Sequence, residues 1–172
     1  MKEYTAKAYR FSELSDKAQT KVIHWFMEDG YHLGDEALET IKRMAQAFDG
    51  KLTDWSIDWF GGYSSVSFDM PDYDKEDIAA CFRRLDARED KSCPLTGIFF
   101  DISAIEEARK AFDKGVFSLT ELMQIAADAV IDDAQKDCES SFTPEVMAEN
   151  CEANDYWFDE HGRMLPNKLV EA

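Results

Sequence analysis

Basic side chains are scarce in the second half of this chain. Between residues 121 and 160 one basic residue, Lys136, stands against twelve acidic ones, and the whole chain carries 19 basic and 36 acidic residues, a formal net charge of −17. Proteins contact phosphate backbones chiefly through Lys and Arg, so this composition argues against direct binding of nucleic acid. It favours a positively charged protein partner.

Long apolar runs, paired cysteines and a secretory leader are lacking too. No stretch approaches the roughly 18 apolar residues of a membrane span, and the opening MKEYTAKAYRF has no apolar signal core. These absences predict a cytoplasmic protein without membrane contact. The four cysteines lie 12, 45 and 13 residues apart and form no C-x-x-C pair: Cys81, Cys93, Cys138 and Cys151. This spacing predicts reduced thiols and no zinc site.

Patterns typical of catalytic and metal sites are also missing. The histidines His24, His32 and His161 are far apart in sequence and have no serine or cysteine partner pattern. The acidic run from Asp72 to Asp77 is similar to a calcium loop, but the glycine at position six and the glutamate at position twelve are absent. We therefore interpret that run as a helix N-terminus, and predict no enzyme, no metal and no cofactor.

Apolar residues, by contrast, are numerous enough to form a core. They make up 45% of the 172 residues, which fits one compact domain over residues 1–172. A strand is predicted over residues 4–11, followed by two helices. The first begins after Ser15, ends at Gly30 and carries Ala18, Val22, Trp25 and Phe26 on one face; the second begins at Asp35, carries Leu38, Ile41, Ala45 and Phe48, and ends in a glycine cap at Asp49-Gly50.

The middle of the chain predicts a hairpin and then a further helix and strand. Trp55, Ile57 and Trp59 alternate before Gly61-Gly62, so a β-hairpin with its turn at residues 60–64 is expected. Asp74 caps a helix with Ile78, Cys81, Phe82 and Leu85 on its apolar face, residues 86–92 form a loop, and residues 97–102 (GIFFDI) form a central strand.

Helix-start signals dominate the rest of the sequence. Two capping boxes, Ser103-x-x-Glu106 and Ser118-x-x-Glu121, predict helices that end near Gly115 and Glu139. Thr143-Pro144 predicts another helix start, and residues 159–162 predict a turn between two short strands. The expected fold is α+β: a single domain in which an antiparallel β-sheet packs with about five α-helices.

One face of the helix after Ser118 is acidic. Glu121, Asp128, Asp132 and Glu139 fall within about 40° of one another on a helical projection. This face is either an ordinary solvent-exposed surface or a docking surface for basic groups. It is too sparse to imitate DNA alone, because roughly 27 Å of duplex presents about 16 charges. Mimicry requires that acids after Thr143 converge on the same side.

Two further features bear on binding. Asp133 and Asp137 are like charges one turn apart, so either an internal Lys or Arg or a partner's cation is expected to compensate them. Aromatic residues in the hairpin turn suit either half-buried packing or interface anchoring. The residues predicted to bind the partner are Glu121, Asp128, Asp132, Asp133, Asp137, Glu139, Glu145, Glu149, Glu152, Trp59, Phe60 and Tyr63.

Both ends of the chain carry residues of a known pattern. They are Phe11, Leu14, Ser15, Ala18 and Lys21 in YRFSELSDKAQTKVIHWF, and Ala153, Asn154, Tyr156, Phe158, Gly162 and Arg163 in ANDYWFDEHGRML. These segments resemble the two ends of a family of small phage and bacterial proteins often labelled antitoxin of a toxin–antitoxin stability system. The chain departs from that family at Trp59–Ser65, where it lacks a Gln-Gly-Asp-Gly segment.

Charge and resemblance together lead to a functional hypothesis. The resemblance implies a phage or mobile-element protein that acts in the cytoplasm of a bacterial host. Its acidic surface would bind and inhibit a host defence nuclease or effector complex of the CRISPR or restriction kind, in competition with nucleic acid. The alternative is an antitoxin-like protein that neutralises a cognate toxin by direct binding through a hydrophobic groove.

Overall fold

The computed structural model describes residues 7–28, 33–88 and 93–166. The chain divides into two compact units: a terminal unit of residues 1–31 and 138–172, and a central unit of residues 32–137. In chain order, the elements are a 3₁₀ turn Phe11–Glu13, α1 Asp16–Glu28, α2 Gly34–Ala47, β1 Lys51–Ser56, β2 Ser65–Asp69, α3 Lys75–Asp86, α4 Phe100–Asp113, α5 Leu119–Ser141 and α6 Pro144–Ala153.

The α+β class is confirmed. The described residues form six α-helices, one more than about five, and a two-stranded antiparallel sheet. The prediction of a single domain over residues 1–172 stays a prediction.

The core of the central unit is built on α2 and α3. Helix α2 contacts both β1 and α4, and an aromatic series, Phe48, Phe82 and Phe112, has ring centroids 5.0 and 5.5 Å apart. The predicted apolar face of α3 is confirmed, since these four residues are all buried: Ile78, Cys81, Phe82 and Leu85. On α2, Ile41, Ala45 and Phe48 are buried as predicted, together with Ala37 and Met44.

The end of α2 differs from the predicted glycine cap. The residue in the left-handed conformation is Asp49, at φ +60°, and not Gly50. Arg84 Nη2 and Tyr73 Oη donate to the Asp49 carboxylate at 2.7 and 2.8 Å. The hydrogen bond from Arg84 and, to a smaller extent, that from Tyr73 hold the pKa of Asp49 below its usual range. The cap is therefore tied to α3, on which Arg84 lies.

The hairpin is confirmed, with a longer connection than predicted. Strands β1 and β2 pair from Lys51–Asp69 to Ser56–Ser65, with a register shift between Leu52 and Asp54, and residues 57–64 join them. Asp58 orders this loop: its carboxylate accepts the Phe60 N–H at 2.9 Å, and its own N–H donates to the Ser64 hydroxyl at 3.0 Å.

The predicted strand at residues 97–102 is wrong. These residues form a turn and the first positions of α4, which begins at Phe100. Their β-prone aromatic composition is overridden by one polar side chain, Asp101, which is completely buried.

Asp101 accepts five hydrogen bonds. Its Oδ2 receives the backbone N–H groups of Leu95, Thr96 and Gly97 at 2.8, 2.8 and 3.2 Å. Its Oδ1 receives the hydroxyls of Thr96 at 2.7 Å and of the buried Thr40 at 3.3 Å. Because a buried carboxylate is costly unless its lone pairs are satisfied, the segment before α4 folds back over it instead of extending as a strand.

The two predicted capping boxes have different outcomes. Ser103 lies inside α4 and its hydroxyl donates to Asp133 on α5, so that box is wrong. Ser118 does accept the Glu121 N–H, at 3.4 Å, just before α5 begins. The predicted end of α4 is confirmed, with Gly115 at φ +98°.

In the terminal unit the described part of the predicted first strand, residues 7–11, contains one bridge. Tyr9 and Phe158 exchange backbone hydrogen bonds of 2.9 and 3.0 Å, and a 3₁₀ turn follows. Phe158 also bridges Met164, so the two predicted C-terminal strands amount to isolated bridges. Residues 4–6, Gly30, His32 and residues 89–92 of the predicted loop lie outside the described residues.

Helices α1 and α6 supply the rest of this unit. Helix α1 starts after Ser15 as predicted, but Trp25 is 47% exposed and not part of the core. Thr143 caps α6 by accepting the Val146 N–H at 3.3 Å, which confirms the predicted start. The buried core consists of Phe11, Leu14, Ala18, Val22, Met147, Cys151 and Phe158. Burial raises the pKa of the Cys151 thiol to about 11.

We expect Asp101→Asn to lower the free energy of unfolding by about 3 kcal/mol, because an amide –NH₂ would face backbone N–H donors at one of the two oxygen positions. Chemical denaturation measures this change. Asp113→Asn, on the exposed end of the same helix, is the matched control and should change stability by less than about 0.5 kcal/mol. Equal effects of the two substitutions would contradict the organising role of Asp101.

Candidate functional site: an acidic groove and an aromatic loop

Helix α5 separates apolar and acidic residues as its sequence predicted. The apolar side is confirmed as buried: Met123, Ala126, Ala127, Val130 and Ala134. The acidic side is exposed: Glu121, Asp128, Asp132 and Glu139. This separation follows from the 3.6-residue period, since residues three, four and seven apart share a face.

A groove of about 460 Å³ lies between α4 and α5 in the central unit. It is lined by Ser103, Glu106 and Glu107 of α4 and by Ile125, Asp128, Ala129, Asp132, Asp133 and Lys136 of α5. Sequence reasoning missed Glu106 and Glu107 as site residues, because Glu106 was assigned to a capping box. Had the sequence analysis assigned Ser103 to the interior of a helix, Glu106 and Glu107 would have been expected one turn after it on that helix.

The charges of the groove are only partly balanced. Lys110 pairs with Glu107 at 2.6 Å and Glu106 at 3.7 Å, while Lys136 pairs with Asp132 at 2.5 Å and Asp133 at 3.9 Å. Five carboxylates against two lysines leave a net charge of −3. The hydrogen bond to Asp132 raises the pKa of Lys136, and that to Glu107 raises the pKa of Lys110, so both lysines stay charged at neutral pH.

Asp133 shows how the like charges on α5 are accommodated. It is half-buried, accepts a hydrogen bond from Ser103, and lies beside Lys136. For Asp133 the compensating cation is therefore internal; for Asp137 the two alternatives stay predictions. Asp128 is exposed. Its Oδ1 accepts a hydrogen bond from Gln124 Nε2 at 2.7 Å.

The groove is not a replica of a phosphate backbone. Five carboxylates line it, two from α4 and three from α5, still far below the about 16 charges of roughly 27 Å of duplex. What the arrangement offers is a concave set of acceptors from two rigid helices. Guanidinium and ammonium groups are the donors that match such acceptors.

The hairpin loop reaches α5. Gln135 Nε2 donates to the backbone oxygen of Asp58 at 2.7 Å, across 77 residues of sequence. The structure thus brings the predicted aromatic residues to the helix that carries the predicted acids. Trp59 is half-buried and packs at the start of α2, where a Cβ on Gly34 would lie 2.7 Å from the indole Nε1. Phe60 and Tyr63 are 39% and 88% exposed.

The remaining predicted binding residues lie elsewhere. Glu145, Glu149 and Glu152 are exposed on α6 in the terminal unit, whereas Asp137 is half-buried on α5. Convergence of the acids after Thr143 with Asp128 stays a requirement of the mimicry hypothesis.

Other possible sites show structural roles. Asp74 caps α3 by accepting the N–H groups of Glu76 and Asp77 at 2.8 and 2.9 Å, which confirms the interpretation as a helix N-terminus. Within residues 7–28, 33–88 and 93–166, no three His, Cys, Asp or Glu side chains are placed to hold a metal ion. No described helix has both the length and the apolar character of a membrane span.

Comparisons of the chain with protein-family models, with curated proteins and with solved structures found no match. The resemblance of its two ends to a phage and bacterial family stays a prediction.

Lys136 competes with any incoming cation for Asp132 and Asp133. We therefore expect Lys136→Gln to bind an arginine hexapeptide about threefold more tightly at low salt, as measured by calorimetry. Lys114→Gln, at the exposed end of α4 away from the groove, removes the same charge and is the control. If both variants gain affinity equally, net charge and not the groove determines peptide binding.

Proposed function

We propose that this chain is a non-enzymatic phage or mobile-element protein that binds and inhibits a host nucleic-acid-binding defence complex. The groove between α4 and α5 would receive Arg and Lys side chains from the channel in which guide or target nucleic acid lies. The observation that supports this best is the net negative groove itself, in which carboxylates of two helices face one concave space.

The sparse charge of the groove sharpens the mechanism. The five carboxylates of the groove cannot replace the many phosphates of a bound duplex, so inhibition would come from occupying a few basic residues at one point of the channel. Electrostatic complementarity of this kind speeds association and fixes orientation more than it adds affinity. The aromatic loop would supply the apolar anchor, because exposed Tyr and Phe beside charged residues are typical of interface hot spots.

The test is competition for nucleic acid. A guide-loaded CRISPR effector and a restriction enzyme are titrated with the protein while their binding to labelled target DNA is measured by fluorescence anisotropy. We expect one of them to lose DNA binding, and the triple variant Glu106→Gln, Glu107→Gln, Asp128→Asn to weaken inhibition about tenfold or more, since each lost charge contact costs a fraction of a kcal/mol to a few kcal/mol.

A matched control removes the same number of charges from α6: Glu145→Gln, Glu149→Gln and Glu152→Gln. It should inhibit like the native protein and should show the same salt dependence. Loss of inhibition in the control alone would assign binding to the terminal unit and refute the groove. Unchanged DNA binding by both effectors at saturating protein would refute this mode of inhibition.

A second candidate, an antitoxin-like protein that neutralises a toxin by direct contact, is favoured by the exposed hairpin aromatics. Trp55 is 48% exposed and Tyr63 88%, and aromatic surface of this kind is often held for a partner. Co-expression with the product of an adjacent gene checks it: the native protein should rescue growth, and Tyr63→Ser combined with Phe60→Ser should not. Rescue by the groove triple variant would separate this function from the first.

A further inference from the structure

A pocket on the terminal unit has the opposite charge to most of the chain. It has a volume of about 400 Å³ and is lined by Lys21 and Trp25 of α1 and by residues 161–164. None of the six lining residues is acidic, although acidic residues outnumber basic ones 36 to 19 in the whole chain. A cationic, aromatic pocket is thus set into an anionic protein.

The pocket depends on a close approach between the C-terminal turn and α1. Gly162 has φ +78°, and a Cβ there would lie 2.6 Å from the backbone oxygen of Ala18 and 3.2 Å from Val22 Cγ2. Only glycine allows the turn to rest directly on the helix in this way. The turn therefore places Arg163 in the same pocket as Lys21 and Trp25, which lie one helical turn apart.

The cations of the pocket are available. In the described part of the chain, neither Lys21 nor Arg163 is within ion-pair distance of a carboxylate. Two acids of the turn lie beside the pocket: Asp159 accepts the backbone N–H groups of His161 and Arg163, both at 2.9 Å, and the Glu160 carboxylate is 3.7 Å from His161 Nε2.

Trp25 forms the apolar wall. Its ring meets Phe26 edge to face, with centroids 4.8 Å apart and an interplanar angle of 73°, and Phe26 packs on Tyr156 at 6.0 Å. The indole contacts Phe26 and is 47% exposed. An exposed ring suits stacking of a planar base, while Lys and Arg are the usual ligands of a phosphate group.

We propose that this pocket binds a free nucleoside monophosphate, with the base on Trp25 and the phosphate between Lys21 and Arg163. Its volume is within the range of about 300–1,000 Å³ that is usual for small-molecule sites. A mononucleotide is favoured over a polynucleotide because the net charge of −17 repels a ligand more strongly with each added phosphate.

Isothermal titration with AMP, adenosine and inorganic phosphate tests this proposal. We expect AMP to bind at least about tenfold more tightly than either fragment, and Trp25→Ala, Lys21→Gln and Arg163→Gln each to weaken AMP binding about tenfold. The controls are Trp55→Ala, whose tryptophan is equally exposed at 48%, and Lys17→Gln on the exposed surface of the same helix. Both should bind AMP as the native protein does.

Three results would overturn the proposal. If the native protein and Trp25→Ala bind AMP with equal affinity, the base does not stack on Trp25. If inorganic phosphate binds as tightly as AMP, the pocket does not recognise the base. Tighter binding of a short single-stranded oligonucleotide than of AMP assigns the pocket to a polymer end. The exposed Lys21→Gln variant keeps the test valid if Trp25→Ala fails to fold, as checked by circular dichroism.

Discussion

The central unit depends on one buried carboxylate. Asp101 at the start of α4 holds three successive backbone N–H groups and two threonine hydroxyls, one of which, that of Thr40, comes from α2. A single acceptor thus fixes the segment before α4 and links α4 to α2. Because the orientation of α4 sets the direction of Glu106 and Glu107, the acidic groove depends on a side chain that does not line it.

Elements with local signals were well predicted from the sequence. Caps such as Asp74 and Thr143, the apolar face of α3 and the two faces of α5 follow from interactions within a few residues, which sequence spacing records directly. The hairpin was found for the same reason. Its longer loop was missed because Asp58, and not the glycine pair alone, determines where the strands separate.

Features that depend on distant partners were not predictable. Residues 97–102 have the composition of a strand, and nothing near them in sequence reveals the Thr40 hydroxyl 61 residues away. Ser103 was assigned to a cap because its partner, Asp133, lies on another helix. The acids of α5 were identified from sequence, but their neighbours in the groove were not, since helix pairing is a tertiary property.

The unequal distribution of charge has a consequence for how copies of this protein behave together. The hairpin sheet has two strands in the described structure, so each has an edge without a strand partner, and such edges tend to pair between molecules. At neutral pH a net charge of −17 keeps molecules apart. Near the isoelectric point of about 4.4 this repulsion vanishes, and the hairpin is then the segment where self-association is expected to begin.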